Sequence, residues 1–252
     1  MMTRRTAIAS VLAGAVLVLG GCQDSAVEEA PAPTAGTIQD AAAAQEAREQ
    51  FFDAITDREM FRAEGSIEVS GTTQEVALDV DVADQAYAGT ISLLGADGRS
   101  LSIEIVRASG LTWIKAPAEY WVQNGYTEEG AERAVGKYIV FEQAAGDQIA
   151  EAYDYPRIIR SLRDVPRQEL DALGPVECAD EVCQAFALAT VENGPVIRVP
   201  EDQRCANGEC ALFALESQVE GARAVVEVSA REGGPITHPD REDVLEPEAA
   251  AG

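Results

Sequence analysis

Four cysteines in the second half of the chain are the residues best placed for covalent chemistry. They form two pairs with the same spacing, Cys178 with Cys183 and Cys205 with Cys210. Asn207-Gly208 favours a tight turn, so Cys205 and Cys210 flank a hairpin loop, and directly opposed residues of antiparallel strands lie within disulfide range. A zinc site is the alternative, since zinc-binding cysteine pairs usually have about two to four intervening residues. We predict local disulfides, Cys178–Cys183 and Cys205–Cys210, ahead of the crossed connectivities.

The other reactive residue types give little support for catalysis. His238 is the only histidine, and it lies in a proline-rich tail where no third group can hold it as a catalytic base. Gly-x-Ser-x-Gly and His-Glu-x-x-His motifs are absent from the sequence. Asp79, Asp81 and Asp84 suggest calcium but lack the EF-hand order, and a solvated strand face accounts for them. No pair among the 44 acidic residues is singled out for glycosidase chemistry. We predict no enzymatic activity, no metal and no cofactor.

The N-terminus carries an export pattern that ends in a fifth cysteine. Arg4-Arg5 precedes an uncharged apolar run, residues 6–21, and the run ends in Leu19-Gly20-Gly21-Cys22. A basic start, a short apolar core and small residues are typical of an export signal, and the run is shorter than the roughly 20 residues of a membrane-spanning helix. The last four residues resemble the lipobox of bacterial lipoproteins, in which the cysteine sulfur receives a diacylglyceryl group and the chain is cut before it. We predict lipidation of Cys22; an ordinary secretory signal is the alternative.

Charge and cysteine usage fit a location outside the cytoplasm. The formal net charge of −25 repels nucleic acid and anionic headgroups, because both bind through clustered Lys and Arg. An even number of cysteines besides Cys22 agrees with disulfides in an exported protein. The predicted contact with the membrane is therefore a lipid anchor at Cys22 on the extracytoplasmic face, and the prediction for nucleic acid is no binding.

The chain divides into four segments by composition. Residues 1–21 are the predicted signal peptide, and residues 22–36 are rich in Ala, Pro and Glu, which indicates a flexible tether with a span of roughly 20 Å. Residues 37–232 form the predicted folded domain, since 46% of the chain is apolar and can build a core. Residues 233–252 contain prolines and few apolar residues, so we predict a disordered acidic tail.

The folded segment alternates between helical and strand patterns. A helix from Thr37 to about Arg58 places Phe51, Phe52 and Ile55 on one side, and its acidic polar face favours core packing over a membrane surface. Period-two alternation over 61–116 predicts an antiparallel meander with one covered face and one wet face. Helical signals follow over 117–164, with a break expected at Pro156, and strands return at about residue 168.

This order resembles the LolA/LppX-type lipoproteins of the bacterial envelope. The residues that carry the resemblance are Phe61 to Ser66, Gly110 to Lys115, Tyr120-Trp121 and Gly136 to Ile139, in that order behind the lipobox. The resemblance implies an α+β fold, in which a curved antiparallel β-sheet forms a half-barrel and helices cover its concave face. It also implies that the concave face can hold a lipid or another apolar molecule. The paired cysteines have no place in the family pattern.

Two functions follow as expectations. The first is a membrane-anchored extracytoplasmic lipoprotein that binds, and in a carrier role transports, a lipid or other apolar molecule. The second is a non-catalytic envelope module for interaction or sensing, with a filled core. Aromatic residues near the sheet-to-helix crossover fit either core packing or the mouth of a cavity: Trp113, Trp121, Tyr120, Tyr126 and Phe141. The candidate ligand contacts are Val69, Leu78, Val80, Ile91, Ile103, Trp113 and Trp121.

Overall fold

One large β-sheet, covered on one face by helices, carries the fold. The computed structural model describes residues 38–69, 72–94, 99–141, 146–147, 151–178, 181–189, 195–201, 205–206, 209–219 and 222–246. The helices with both ends in these residues are α1 (Ile38–Thr56), α2 (Ala118–Gln123), α3 (Glu128–Ala134) and α4 (Tyr155–Arg163). The strands are β1 (Met60–Val69), β2 (Thr72–Asp81), β3 (Ala86–Leu94), β4 (Ser100–Ala108), β5 (Leu111–Lys115), β6 (Tyr138–Phe141), β7 (Leu170–Cys178), β8 (Glu181–Leu188), β9 (Val196–Pro200), β10 (Cys205–Ala206), β11 (Glu209–Val219), β12 (Ala222–Ala230) and β13 (Val244–Leu245).

The sheet is open and almost entirely antiparallel. Its strand order is β13-β6-β5-β4-β3-β2-β1-β12-β11-β9-β8-β7, and β10 pairs with β11 outside this order. The pairing of β13 with β6 is parallel. Strands β1 to β5 follow one another as a meander, as the alternation over 61–116 predicts, and β1 joins this half to the C-terminal half through β12. Strand β6 extends the meander beside β5 and corrects the prediction of helix throughout 117–164, because pairing with β5 is a long-range contact. The α+β class and the antiparallel meander are confirmed.

Alternating side chains divide the sheet into two faces. We call the face that the helices cover the inner face and the opposite one the outer face. Phe61 is the register partner of Val80, which in turn lies opposite Tyr87, and all three inner-face side chains are buried. Arg62 and Asp79, one position along, form an ion pair on the outer face at 2.8 Å. The period of two therefore decides which residues meet the helices.

Two inner-face glycines lie where neighbouring strands come very close. A Cβ atom on Gly65 would lie 2.7 Å from the Cα atom of Val226, and one on Gly89 would lie 2.9 Å from the Cα atom of Leu78. Side chains do not tolerate such distances, so these positions require glycine. The close approach brings β1 against β12 and β3 against β2 at the centre of the sheet.

Helix α1 forms where the sequence predicts it and packs by its apolar side. Its run of alanines favours helical geometry, and Phe51, Phe52 and Ile55 are buried in the main core. Phe51 contacts the ring of Phe213 edge to face at a centroid distance of 5.1 Å. The helix lies against β7, β8, β9 and β11, which form the C-terminal half of the sheet.

Helix α4 begins at the proline that the sequence analysis expected to break a helix. Pro156 sits in its first turn, where the missing N–H is not needed, and the Asp154 side chain accepts a hydrogen bond from the Arg157 N–H at 3.1 Å. At its other end, Arg163 donates to the Ile55 carbonyl oxygen at 2.6 Å and pairs with Glu59 at 3.1 Å. These bonds tie α4 to the connection between α1 and β1.

The C-terminal segment, which we define as residues 231–246, corrects one prediction. The sequence predicts disorder from residue 233, yet residues 233–246 cross the outer face and end in β13 beside β6. The reason is long-range contact: Ile236 and Val244 pack on a second apolar cluster there, which a local reading of a proline-rich tail does not reveal. The remaining tail residues, 247–252, and residues 1–37, with the predicted signal, Cys22 and tether, lie outside the described residues, so those assignments stay predictions.

Candidate functional site at the interface of sheet and helices

The predicted ligand residues of strands β2 to β4 come together on the inner face. Leu78, Val80, Ile91 and Ile103 have none of their surface exposed, and they belong to one core cluster with residues from α1 and α4. A side chain that borders a cavity large enough for a water molecule would keep some water-accessible surface. These four side chains therefore border packed protein atoms on all sides.

The tryptophans of the predicted site lie on opposite faces of the sheet. Trp121, in α2, is fully buried in the main core, and its indole N–H donates to the Ala116 carbonyl oxygen at 3.1 Å. Trp113 is wrongly assigned to the same site. It points to the outer face, because Thr112 and Ile114 take the inner positions of β5, and it packs with Val106 in the second apolar cluster. Val69 pairs with Thr72 through the backbone, and its side chain lies outside the described part of the chain.

Aromatic rings around Trp121 fill the space under α2 and α3. The ring centroid of Trp121 lies 5.1 Å from that of Tyr120, 5.2 Å from that of Tyr126 and 6.3 Å from that of Phe141. Edge-to-face and stacked contacts at these distances stabilise a packed aromatic cluster. Of the two roles left open by the sequence, this arrangement is that of core packing.

A group of tyrosines, of which the sequence pattern indicates only Tyr120, forms the polar part of this interface. The Tyr153 hydroxyl donates to the Gln74 side-chain oxygen at 2.8 Å, and both residues are buried. Burial raises the pKa of Tyr87, Tyr153 and Tyr155 above the ordinary range, and raises the pKa of Tyr120 to about 12. These hydroxyls are therefore neutral at physiological pH, and that of Tyr153 acts as a hydrogen-bond donor.

Arg107 is the charged residue on the inner side of β4. Its guanidinium donates to the Thr112 hydroxyl at 2.9 Å and to the Asp147 carboxylate at 2.7 Å. The Thr112 hydroxyl in turn donates to the Gly146 carbonyl oxygen at 3.2 Å. Because the Arg107 guanidinium has these hydrogen-bond partners, its interactions with Thr112 and Asp147 stabilise this end of the interface between sheet and helices. The signal that could have revealed it is an arginine at an inner position of an otherwise apolar strand.

The residues considered for metal or acid–base chemistry have structural partners. Asp79 pairs with Arg62 and with Arg231, and the Asp81 carboxylate accepts from the Asp84 backbone N–H at 3.1 Å, which closes a turn. His238 is exposed and lies near Trp113, with ring centroids 6.2 Å apart. Among the residues the structure describes, no group of three or more His, Cys, Asp or Glu side chains is placed to hold a metal ion.

The cysteine pairs sit on two hairpins of the C-terminal half. Cys178 and Cys183 form a disulfide that connects β7 to β8, with Cα atoms 5.8 Å apart, as predicted. Cys205 and Cys210 are register partners of β10 and β11, which places their backbones opposite each other across the predicted hairpin. The side chains of this second pair lie outside the described residues, so its disulfide stays a prediction.

Comparisons with known proteins leave the family open. No protein-family model matches the chain, and no curated protein matches it. Among solved structures, the chain is similar to a DUF1329 family protein from Desulfovibrio piger, with 14% identity over 74% of this chain and 91% of that chain. The TM-score is 0.26, which does not establish a common fold. In the described ranges, no helix combines the length and the apolar character needed to cross a membrane.

Proposed function

We propose that the protein is a lipid-anchored envelope lipoprotein whose folded domain is a non-catalytic interaction module with a filled core. The observation that carries this proposal is the complete burial of Leu78, Val80, Ile91 and Ile103 against the helices. A lipid carrier needs an apolar cavity of several hundred Å³, and such a cavity would leave part of these side chains accessible. The packed interface favours the module over the carrier.

We also propose that the sheet curves around the helices as a half-barrel. Helix α1 contacts β7 to β9 and β11, α4 contacts β2 and β3, and the two helices also contact each other. Neighbouring helices pack about 8–10 Å apart, whereas these strand groups are separated in the sheet by β1 and β12. A sheet that curves around the helices as a half-barrel brings both groups within reach.

The anchor rests on the sequence pattern at Cys22. The mature protein with Cys22→Ser should leave the membrane fraction and lose labelling by a fatty-acid analogue, and Gln23→Ala serves as the matched control that stays with membranes. Continued membrane partition of the Cys22→Ser protein would refute lipid anchoring.

Lipid binding is the second candidate, and one observation favours it. The apolar inner face is covered by helices that are separate elements, so an outward movement of α1 would expose apolar strands to a ligand. Native mass spectrometry after mild extraction distinguishes the two candidates. We expect the mass of the lipid-anchored chain alone; a further lipid bound in stoichiometric amount, also seen on the Cys22→Ser form, would favour the carrier.

A further inference from the structure

The outer face of β3 to β6 carries an apolar cluster of its own. Its buried members are Ala86, Val106, Ala108 and Trp113, and half-buried Tyr138 and Val140 pack against them. The cluster is separate from the main core, because the sheet lies between the two. The C-terminal segment covers it through Ile236 and Val244.

The C-terminal segment holds this position with few contacts. None of residues 231–246 is fully buried, and β13 consists of two residues paired with Tyr138 and Ile139 of β6. Besides Ile236 and Val244, half-buried Leu245 packs on the edge of the main core, and the His238 ring lies near Trp113. The Lys137 ammonium donates to the Glu242 carbonyl oxygen at 2.7 Å. A short pairing with exposed backbone and few buried apolar contacts is the kind of element that opens first in a folded protein.

The segment is connected to β12 in a way that permits release. The Arg231 N–H donates to the Met60 carbonyl oxygen at 3.3 Å, and its guanidinium pairs with Asp79 at 3.0 Å, which fixes the start of the segment. Gly233 and Gly234 follow after Glu232, and both are exposed. Glycines give the chain the conformational freedom to swing away beyond Arg231.

Release of the segment would expose a surface suited to an extended peptide. The β6 backbone would present unpaired N–H and C=O groups at the edge of the sheet, beside an apolar patch that contains Trp113. Such an edge binds a further strand through main-chain bonds, and side-chain pockets give the specificity. The chain's own segment shows the chemistry that fits: an extended backbone with aliphatic residues at Ile236 and Val244.

The charged residues near the β6 edge indicate the chemistry of the partner. Lys115 and Lys137 are the only lysines of the chain, and both lie at this edge of the sheet. Lys115 pairs with Glu104 at 2.7 Å and lies 4.9 Å from the ring centroid of Tyr138, whereas Lys137 is bonded to the segment. The segment itself carries Asp240, Glu242 and Asp243 between its apolar residues. Lys137 therefore supplies the positive charge that an acidic strand meets at this edge, in a chain of net charge −25.

We propose that the β6 edge and the outer-face cluster form a docking surface for an extended acidic segment of a partner protein with two aliphatic anchors. The C-terminal segment occupies this surface as an intramolecular competitor. The inference rests on the proposed role as an interaction module and names the surface that performs it. A partner gains access in proportion to the fraction of molecules in which the segment is released.

Peptide binding to the full mature chain tests the proposal. The probe is a fluorescein-labelled peptide with the sequence of residues 234–246, and the parent protein carries Cys22→Ser. In the double variant Ile236→Asp/Val244→Asp the competitor is weakened, so the peptide should bind at least about tenfold more tightly than to the parent. Before the peptide is added, the emission maximum of Trp113 in the double variant should lie at a longer wavelength than in the parent, because the released segment exposes the ring. A peptide with the same two substitutions should not bind.

A second variant, in which a disulfide locks the segment in place, serves as the test if circular dichroism shows that the double variant does not fold. Val244 and Tyr138 are register partners, so Tyr138→Cys/Val244→Cys allows a disulfide that holds the segment in place. The oxidised protein should bind the peptide at least about tenfold more weakly than the same variant with these two thiols reduced, since both forms lack the Tyr138 ring. Equal binding to the oxidised and reduced forms, or no binding to a folded double variant, would overturn the proposal.

Two further results distinguish this proposal from self-association and from the proposed function. Concentration-dependent dimers of the parent that exchange C-terminal segments would assign the surface to a second copy and overturn the assignment to a partner protein. The membrane partition of Cys22→Ser and the native mass of the extracted protein test the proposed function independently, since neither depends on the C-terminal segment.

Discussion

Opposite volume changes on the inner face should both destabilise the protein if its core is filled. Leu78→Ala removes three carbon atoms from a side chain with no exposed surface, which costs about 2.4 kcal/mol at about 0.8 kcal/mol per buried carbon. The unfilled void adds to this, so we expect a loss of about 2–5 kcal/mol. Val80→Trp must fit a larger ring between Phe61 and Tyr87, and overpacking typically costs about 1–3 kcal/mol.

Urea unfolding and differential scanning calorimetry on the Cys22→Ser protein measure both effects. For a chain of this size, 3 kcal/mol corresponds to a fall in Tm of roughly 6–12 °C. Leu94→Ala is the matched control, because Leu94 is 42% exposed at the end of β3, and its effect should stay within about 0.5 kcal/mol. An unchanged Tm in Val80→Trp, together with a lipid that co-purifies with the wild type but not with the variant, would refute the filled core.

Three further predictions follow from local geometry. Non-reducing peptide mapping should find Cys178 linked to Cys183 and Cys205 linked to Cys210, and stoichiometric zinc with free thiols would contradict this. Burial raises the pKa of Tyr120 to about 12, so its neutral form is favoured by folding; this stabilisation is complete below the unfolded pKa of about 10 and is lost as the pH rises through about 12. Absorbance at 295 nm should therefore show delayed ionisation in the folded protein, and full tyrosine titration near pH 10 without unfolding would exclude it. Gly65→Ala should destabilise by at least about 2 kcal/mol because its Cβ would lie 2.7 Å from the Cα atom of Val226. The control Gly234→Ala, which has open space around it, should be neutral.

Local patterns in the sequence predict the elements whose stability depends on one buried side. The helix at Ile38–Thr56 and the strands β1 to β5 are predicted because apolar side chains recur at periods of 3.6 and two. The same alternation correctly groups Leu78, Val80, Ile91 and Ile103 on one face. Period alone also shows that Thr112 and Trp113 face opposite ways, but the pattern predicts a solvated outer face, and this prediction wrongly places Trp113 on the inner face.

Contacts between distant parts of the chain account for what the sequence does not reveal. The C-terminal segment has few apolar residues, and its position depends on the patch formed by β3 to β6. The tyrosines of the interface come from β3, α2 and the residues around the start of α4, and only the fold brings Tyr153 to Gln74. Whether helices cover a sheet tightly or over a gap also depends on side-chain volumes across the interface, which periodicity does not measure.

The pairing of β1 with β12 has a consequence for how the chain reaches this structure. Phe61 lies opposite Ala230, so the two halves of the sheet are joined by strands from near the two ends of the folded region. The meander of β1 to β5 requires only contacts between successive strands, and it can assemble while later residues are still emerging. The exposed edge of β1 stays without a neighbour until β12 is available. During synthesis this half-built sheet is the species most exposed to aggregation, and the rate of its completion depends on how soon the last strands become available.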